Sequence, residues 1–210
     1  GSGHALTVPL LMKADGTKFG KTAGGSVWLD PEMTSPYAFF QFWLNSDDKD
    51  VINFLKVFSF KSHEEISELE KSHHENPGLR EAHRALAREL TALVHSEETT
   101  ARVEAAARAL FGQGELSELD EATLASALAE LPRTSITSTE EIPTWVDLLT
   151  ATGVVDSKSA ARRIVKEGGA YLNNQKISGE DFRPSKTDFL CGKYAVLRKG
   201  KRDLAAVELL

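Results

Sequence analysis

The spacing of apolar residues changes three times along the chain, and each change marks a different kind of structure. In residues 1–34 the apolar positions come in short runs. "ALTVPLLM" is broken by Pro9, which argues against a central helix there. Gly16, Gly20, Gly24 and Gly25 then crowd into ten positions, and "SVWLD" follows. This reads as strand, glycine-rich loop, strand.

From residue 35 to 131 the spacing is helical. Ser35-Pro36 is a helix start, with serine as cap and proline suited to the first helical position. Tyr37, Phe39, Phe40, Phe42, Trp43 and Leu44 make the helix that follows largely apolar. Asp47 or Asp48 begins a second helix carrying Val51, Ile52, Phe54, Leu55 and Val57. Ser62 with Glu65 three residues later forms a capping-box pattern. Leu86, Leu90, Leu93 and Val94 share one side of a helix within 79–94. Alanine-rich stretches at 101–110 and 122–131 complete a bundle. Residues 132–142, "PRTSITSTEEI", lack a periodic apolar pattern and read as a linker.

A small mixed unit occupies 143–210. "TWVDLLTATGVV" is a short amphipathic helix ending near Gly153. "SKSAARRIVKEGG" is a second, capped by Ser157 and stopped by Gly168-Gly169. "AYLNNQKIS" reads as two strands about an Asn-rich turn, and "YAVLRKGKRDLAAVEL" as a hairpin turning at Lys199-Gly200-Lys201. The fold class is therefore α+β: a helical bundle, then a small α+β unit.

Charge sharpens that division. The whole chain carries 25 basic and 31 acidic residues, a net charge of −6. Residues 36–130 hold 9 basic against 18 acidic, whereas 131–210 hold 13 basic against 10 acidic. An acidic middle and a basic tail indicate modules with different tasks. The apolar fraction of 41% is ordinary, and no apolar run approaches the ~20 residues that span a bilayer. No membrane partner is expected, and since the chain does not begin with Met, a mid-protein start is. Cys191 is the only cysteine. It can form neither an internal disulfide nor a cysteine-rich metal site, which suits a reducing cytosol, and it reads as a packing or loop residue. His4, His63, His73, His74, His83 and His95 fall into no metal-binding spacing.

Two segments carry candidate chemistry. "DGTKFGKTAGG" places Lys18, Lys21 and Thr22 in a glycine-rich loop, which can bring ammonium groups and backbone N–H donors onto a polyphosphate. It lacks the GxxxxGK[ST] spacing of the phosphate-binding loop, and its plain alternative is a basic surface loop. On a wheel of about 100° per residue, Lys158, Arg162, Arg163 and Lys166 fall within an arc of about 140°. Ala160, Ala161, Ile164 and Val165 occupy the other side. One face packs and the other presents four cations, the electrostatic footprint of a phosphate-binding surface; the plain alternative is a solvated basic face.

"KFGKT" resembles the KMSKS signature of class I aminoacyl-tRNA synthetases. With the "SPYAFFQFWLNSDDKD" that follows, it resembles the bacterial-type tyrosyl-tRNA synthetase family. "VDLLTATGVVDSKSAARRIVKEGGAYLNNQKIS" resembles the RNA-binding domain named after ribosomal protein S-four. The resemblance covers essentially the whole chain. It implies the end of a catalytic domain at 1–34, an anticodon-binding helical domain at 35–131, a linker at 132–142 and an S-four-like RNA-binding domain at 143–210. No HIGH-type motif or strand–glycine–helix unit precedes the loop, so the Rossmann-like catalytic domain is expected to be absent. Phe19-Gly20 stands where the signature has Met-Ser.

The resemblance implies roles as well. Lys18, Lys21 and Thr22 match the signature positions and would meet the charge that grows on pyrophosphate as tyrosine attacks ATP. Donors of this kind are worth about 3–4 kcal/mol each. Lys158, Arg162, Arg163 and Lys166 would grip the long variable arm and nearby backbone of tRNA-Tyr. Asn173, Asn174 and Lys176 would add contacts at the turn, and Arg198, Lys199, Lys201 and Arg202 would form a second basic edge. Asp47, with Asp48 in reserve, would meet the first anticodon base, a guanine-type base; the plain alternative is helix capping. The parent enzyme would use ATP with Mg and dimerise through its catalytic domain in the cytoplasm. The present chain would be a monomer that binds tRNA, binds no cofactor and does not aminoacylate alone. A second reading is a free-standing, non-catalytic structured-RNA-binding module, which would need neither the "KFGKT" loop nor the aromatic helix.

Overall fold

The computed structural model of the chain describes residues 3–7, 10–19, 26–137 and 141–210. Lys21 and Thr22 lie outside the described residues. The chain forms two compact units, Gly1–Thr100 and Ala101–Leu210. Helices dominate the first, and the second sets helices on a small mixed sheet.

In the first unit α1 (Pro36–Leu44), α2 (Val51–Phe58), α3 (His63–Glu75) and α4 (Glu81–His95) follow one another, and α5 (Glu97–Leu110) begins. Local chemistry sets several of these starts. Ser35 Oγ accepts from the Ala38 N–H at 3.1 Å, with Pro36 in the first turn. The Ser62 hydroxyl accepts from the Glu65 N–H at 3.2 Å, and the Glu65 carboxylate accepts from the Ser62 N–H at 2.7 Å. This closes both halves of the capping box. Helix α4 is the spine of the unit: it packs against α1, α2 and α3 and buries Leu86, Ala87 and Leu90.

Two expectations are corrected here. Helix α2 starts at Val51, not at Asp47 or Asp48, because a turn intervenes: the Asp47 carbonyl accepts from the Asp50 and Val51 N–H groups at 2.9 and 3.1 Å. Nor do the described residues of 1–34 form the two strands expected there. Their only β contact is an isolated bridge between Met12 and Lys18. A strand needs a neighbour to satisfy its backbone groups, and apolar composition alone supplies none.

The second unit contains residues 101–110 of α5, α6 (Glu121–Ala129), β1 (Arg133–Ile136), α7 (Trp145–Ala151), α8 (Lys158–Lys166), β2 (Ala170–Leu172), β3 (Gln175–Lys176), β4 (Tyr194–Lys199) and β5 (Asp203–Leu209). The sheet order is β1-β5-β4-β2-β3. Strands β2, β3, β4 and β5 pair antiparallel. Strand β1 runs parallel to β5, pairing Arg133 with Ala206 through Ile136 with Leu209. Residues 133–136 are thus an edge strand where a linker is expected. Their burial alternates, and the β-branched Thr134 and Ile136 lie on the half-buried side, a period-2 signal too short to stand out.

Helices α7 and α8 cover the sheet. Trp145, Leu148, Leu149, Ala161, Val165, Leu172, Leu197 and Val207 belong to one core. Trp145 Nε1 donates to the Tyr171 carbonyl at 3.1 Å, so the buried indole is satisfied. No helix among the described residues is long and apolar enough to cross a membrane.

Candidate nucleic-acid interface

Helix α8 displays the four cations. Ser157 Oγ accepts from the Ala160 N–H at 3.2 Å and starts it. Gly168, at φ 72°, stops it in a conformation that glycine adopts without strain. Ala161 and Val165 are buried, while Lys158, Arg162, Arg163 and Lys166 are all exposed. The sheet core fixes the rotation of the helix, and the basic face follows from it.

Each of those cations has an acidic neighbour. Lys158 Nζ lies 2.6 Å from Asp147 Oδ1. Arg162 Nε and Lys166 Nζ share Glu180, at 3.5 and 3.1 Å. Arg163 Nε is 3.8 Å from Glu167, one turn along. The Lys158 ammonium, then the Thr144 hydroxyl, hold the Asp147 carboxyl below the usual carboxylate range. These acids balance a dense cationic face without burying it. Because the cations stay at least half exposed, a phosphate can replace the carboxylates at small cost. Glu180 and Asp147 are residues of this surface that sequence reasoning missed. Neither has a local signal, since Glu180 reaches α8 from a loop 14 or more positions away.

The turn residues divide. Lys176 is exposed, and a Cβ at Gly168 would lie 2.7 Å from its Nζ, so its ammonium sits over the C-terminal end of α8. That placement favours the helix dipole and extends the basic face. Asn173 is engaged within the unit. Its side-chain amide donates to the Asp188 carbonyl at 2.5 Å and its side-chain carbonyl accepts from the Val196 N–H at 2.8 Å. With φ of 47° and 65°, Asn173 and Asn174 form the tight turn, and the Asn174 amide donates to the Ala109 carbonyl at 2.6 Å. Both asparagines thus make hydrogen bonds that hold the turn in place.

Of the second basic edge, Arg198 lies over the Tyr171 ring at 3.9 Å and donates to the Gly200 carbonyl at 2.9 Å. Lys199 pairs with Asp203 at 2.9 Å. Lys201 and Arg202 are exposed at the hairpin turn. Between α8 and this hairpin runs a cleft of about 380 Å³, lined by Val154, Ile164, Arg163, Glu167 and Lys199.

In the first unit Lys18 is exposed beside its bridge to Met12. The next residue, Phe19, packs into an aromatic cluster of α1 and α2: its ring centroid is 5.6 Å from Trp43, 5.1 Å from Phe54 and 5.3 Å from Phe58. The phenylalanine that departs from the signature is thus a packing residue. Asp47 and Asp48 are both exposed in the turn before α2. Asp47 Oδ1 accepts from the Lys49 N–H at 2.8 Å. Asp48 Oδ1 lies 3.2 Å from His83 Nε2 and 3.7 Å from Arg80. His83 is wholly buried and also reaches the Ser46 carbonyl at 3.1 Å. His73 Nε2 is 3.0 Å from the Asp48 carbonyl. His73, Arg80 and His83 therefore hold this turn from behind and leave Asp47 at the surface. No group of three or more His, Cys, Asp or Glu side chains among the described residues is gathered as for a metal ion.

Residues 2–112 match the family model for class I tRNA synthetases (W and Y), and residues 123–207 match that of the tyrosine–tRNA ligase SYY-like C-terminal domain. The chain belongs to the class I tRNA synthetases of the W and Y type, and within them to the tyrosyl-tRNA synthetase family. A tyrosine–tRNA ligase of Streptomyces avermitilis is 62% identical over 206 residues, covering 98% of this chain and 48% of the relative. One of Thermobifida fusca is 56% identical over 210 residues, covering 100% and 49%. The chain thus spans about half the length of the curated relatives it matches. A C-terminally truncated mitochondrial tyrosyl-tRNA synthetase of Coccidioides posadasii is 37% identical, with a TM-score of 0.40, over 47% of this chain and 25% of that one.

Proposed function

We propose that this chain is the tRNA-recognition portion of a tyrosine–tRNA ligase that activates tyrosine with ATP and transfers it to tRNA-Tyr. The observation that carries the reading is the face of α8, where Lys158, Arg162, Arg163 and Lys166 are exposed around a buried Ala161–Val165 side, in a chain of this family. Phosphates of the long variable arm displace Glu180, Asp147 and Glu167 from the four cations, and Lys176 extends the same surface. This part of the contact is electrostatic, so affinity falls steeply with salt. Base reading is a separate task. The outward carboxylate of Asp47 accepts from the edge of the first anticodon base.

Lys18, with Lys21 and Thr22, would stabilise the departing pyrophosphate in the parent enzyme, where ATP arrives with Mg. That enzyme works in the cytoplasm as a homodimer joined through its catalytic domain. The 210-residue chain binds tRNA as a monomer and does not aminoacylate alone.

The test is binding of the chain to tRNA-Tyr, and to a version without the long variable arm, across a salt series. Preference for the intact tRNA, with a log–log salt slope reduced by about one on Arg162→Ala or Lys166→Ala, is expected. Equal binding of both RNAs would refute the tail contact.

A further inference from the structure

We propose that Asp50 and Phe19 are positioning residues for Lys18, fastening the backbone on either side of that lysine to the helical unit. The inference rests on the reading of Lys18 as a lysine that faces the ATP phosphates. Asp50 occupies the N-cap position of α2, where an aspartate ordinarily accepts from an N–H of its own helix. Here it makes no such bond. Its Oδ1 accepts instead from the N–H of Ala14, 36 residues earlier, at 2.7 Å. Asp50 is 6% exposed. A carboxylate so covered must be hydrogen-bonded to be tolerated, and a bond to an ionised acceptor is among the stronger kinds.

Ala14 lies in a closed turn that leads into Lys18. The Lys13 N–H donates to the Thr17 carbonyl at 2.8 Å, and the Gly16 N–H to the Lys13 carbonyl at 2.9 Å. Asp15 Oδ1 accepts from both the N–H and the hydroxyl of Thr17, at 2.8 and 2.6 Å. Gly16, at φ 80°, takes the left-handed position of the turn. The Phe19 N–H then donates to the Leu11 carbonyl at 3.1 Å, and Met12 bridges Lys18. The turn is closed by its own bonds, and Asp50 attaches it to α2.

The second anchor is Phe19 itself. Its ring is stacked on Trp43 at 25° between planes and meets Phe54 edge-on and Phe58 at a tilt. Trp43 belongs to α1 and the two phenylalanines to α2, so the ring is fixed against both helices. Lys18 is therefore held on one side through a turn bonded to Asp50 and on the other by its immediate neighbour. Its backbone is fixed while its exposed side chain remains free to reach. Such preorganisation acts on the rate of the step the lysine serves rather than on binding of a distant substrate.

The test uses the full-length enzyme and tyrosine-dependent ATP–pyrophosphate exchange. Asp50→Leu and Phe19→Ala are expected to lower kcat by about 10- to 100-fold with an unchanged KM for tyrosine. Asp50→Asn, which keeps the Oδ1 acceptor, should retain kcat within about threefold (a residual ≲ 0.7 kcal/mol). In the 210-residue chain, hydrogen exchange of the Ala14 amide should be slow in the natural sequence and in Asp50→Asn, and fast in Asp50→Leu. A fast-exchanging Ala14 amide in Asp50→Leu with full kcat would overturn the proposal, as would an Ala14 amide that exchanges fast in the natural sequence. If the anchor behaves as expected but the natural enzyme shows no tyrosine-dependent exchange, the reading of Lys18 fails and the positioning role falls with it.

Discussion

Lys166 Nζ lies 3.1 Å from Glu180 Oε1, and the other oxygen of the same carboxylate is 3.5 Å from Arg162 Nε. One acid thus restrains two of the four cations on α8. Glu180→Gln removes that competitor without changing the shape of the loop. RNA binding should tighten about fivefold at low salt, near 1 kcal/mol. The gain should shrink as salt screens the surface. Fluorescence anisotropy with labelled tRNA at two salt concentrations would show it; unchanged affinity at low salt would mean that Glu180 does not compete with phosphate.

Asn173 is expected to matter for stability alone. Asn173→Ala removes the bonds to the Asp188 carbonyl and the Val196 N–H and places alanine at φ 47°. A loss of about 2 kcal/mol follows, since two partly buried backbone groups lose their partners. Urea unfolding measures the loss, and tRNA titration under folding conditions should give the affinity of the natural sequence. Weakened binding by a fully folded variant would return Asn173 to the interface.

The adjacent aspartates should separate cleanly. Asp47→Ala leaves unfolding unchanged and costs about 1–3 kcal/mol of discrimination at the first anticodon base. Asp48→Ala loosens the turn at His83 and Arg80, at no more than about 1 kcal/mol because the carboxylate is 58% exposed. Comparing tRNA-Tyr with a variant at that base, alongside thermal melts, assigns the roles. The reverse pattern would name Asp48 as the reader.

Acid should weaken the first unit. Burial, followed by the nearby Arg80 cation, pushes the His83 imidazole below its ordinary range, against the opposing pull of Asp48. The His95 ring meets Phe39 edge-on at 5.1 Å, and burial alone lowers its value. Both groups therefore favour the neutral form in the folded chain. Their contribution to stability is complete above the unfolded histidine value of about 6.5. It is lost as pH falls from there through the folded values, because the unfolded chain binds protons that the folded chain excludes. The urea midpoint of the first unit should fall as pH is lowered from about 7.5 to about 5.5, on either side of that unfolded value, and His95→Leu should flatten part of that slope. A midpoint independent of pH over this range would show that the two rings are free to charge in place.

Much of the fold is legible in the sequence because its signals are local. The Ser35, Ser62 and Ser157 caps, the Asn173-Asn174 turn and the stop at Gly168 each depend on a few consecutive residues. So does the basic face of α8, which needs only helical geometry and an apolar opposite side. Strand β1 is not legible: four residues with two half-buried positions become a strand only when β5 offers a parallel edge. The start of α2 escapes the sequence for a related reason. Asp47 or Asp48 reads as the start, whereas the N-cap position falls to Asp50, whose carboxylate takes its partner from Ala14, far away in the chain.

The candidate site divides along the same line. The sequence by itself determined the family and the cationic face of α8, since residue type and short-range spacing are enough to specify each. Only the tertiary structure decided that Glu180 and Asp147 neutralise that face, that Asn173 bonds to the Asp188 carbonyl and the Val196 N–H, and that Asp50 bonds to Ala14 while Phe19 enters the aromatic cluster. Asp147 and Lys158 are 11 positions apart and Asp50 and Ala14 are 36 apart, and no local period records either pairing. They exist because packing brings distant segments together and every polar group covered in the process must find a partner.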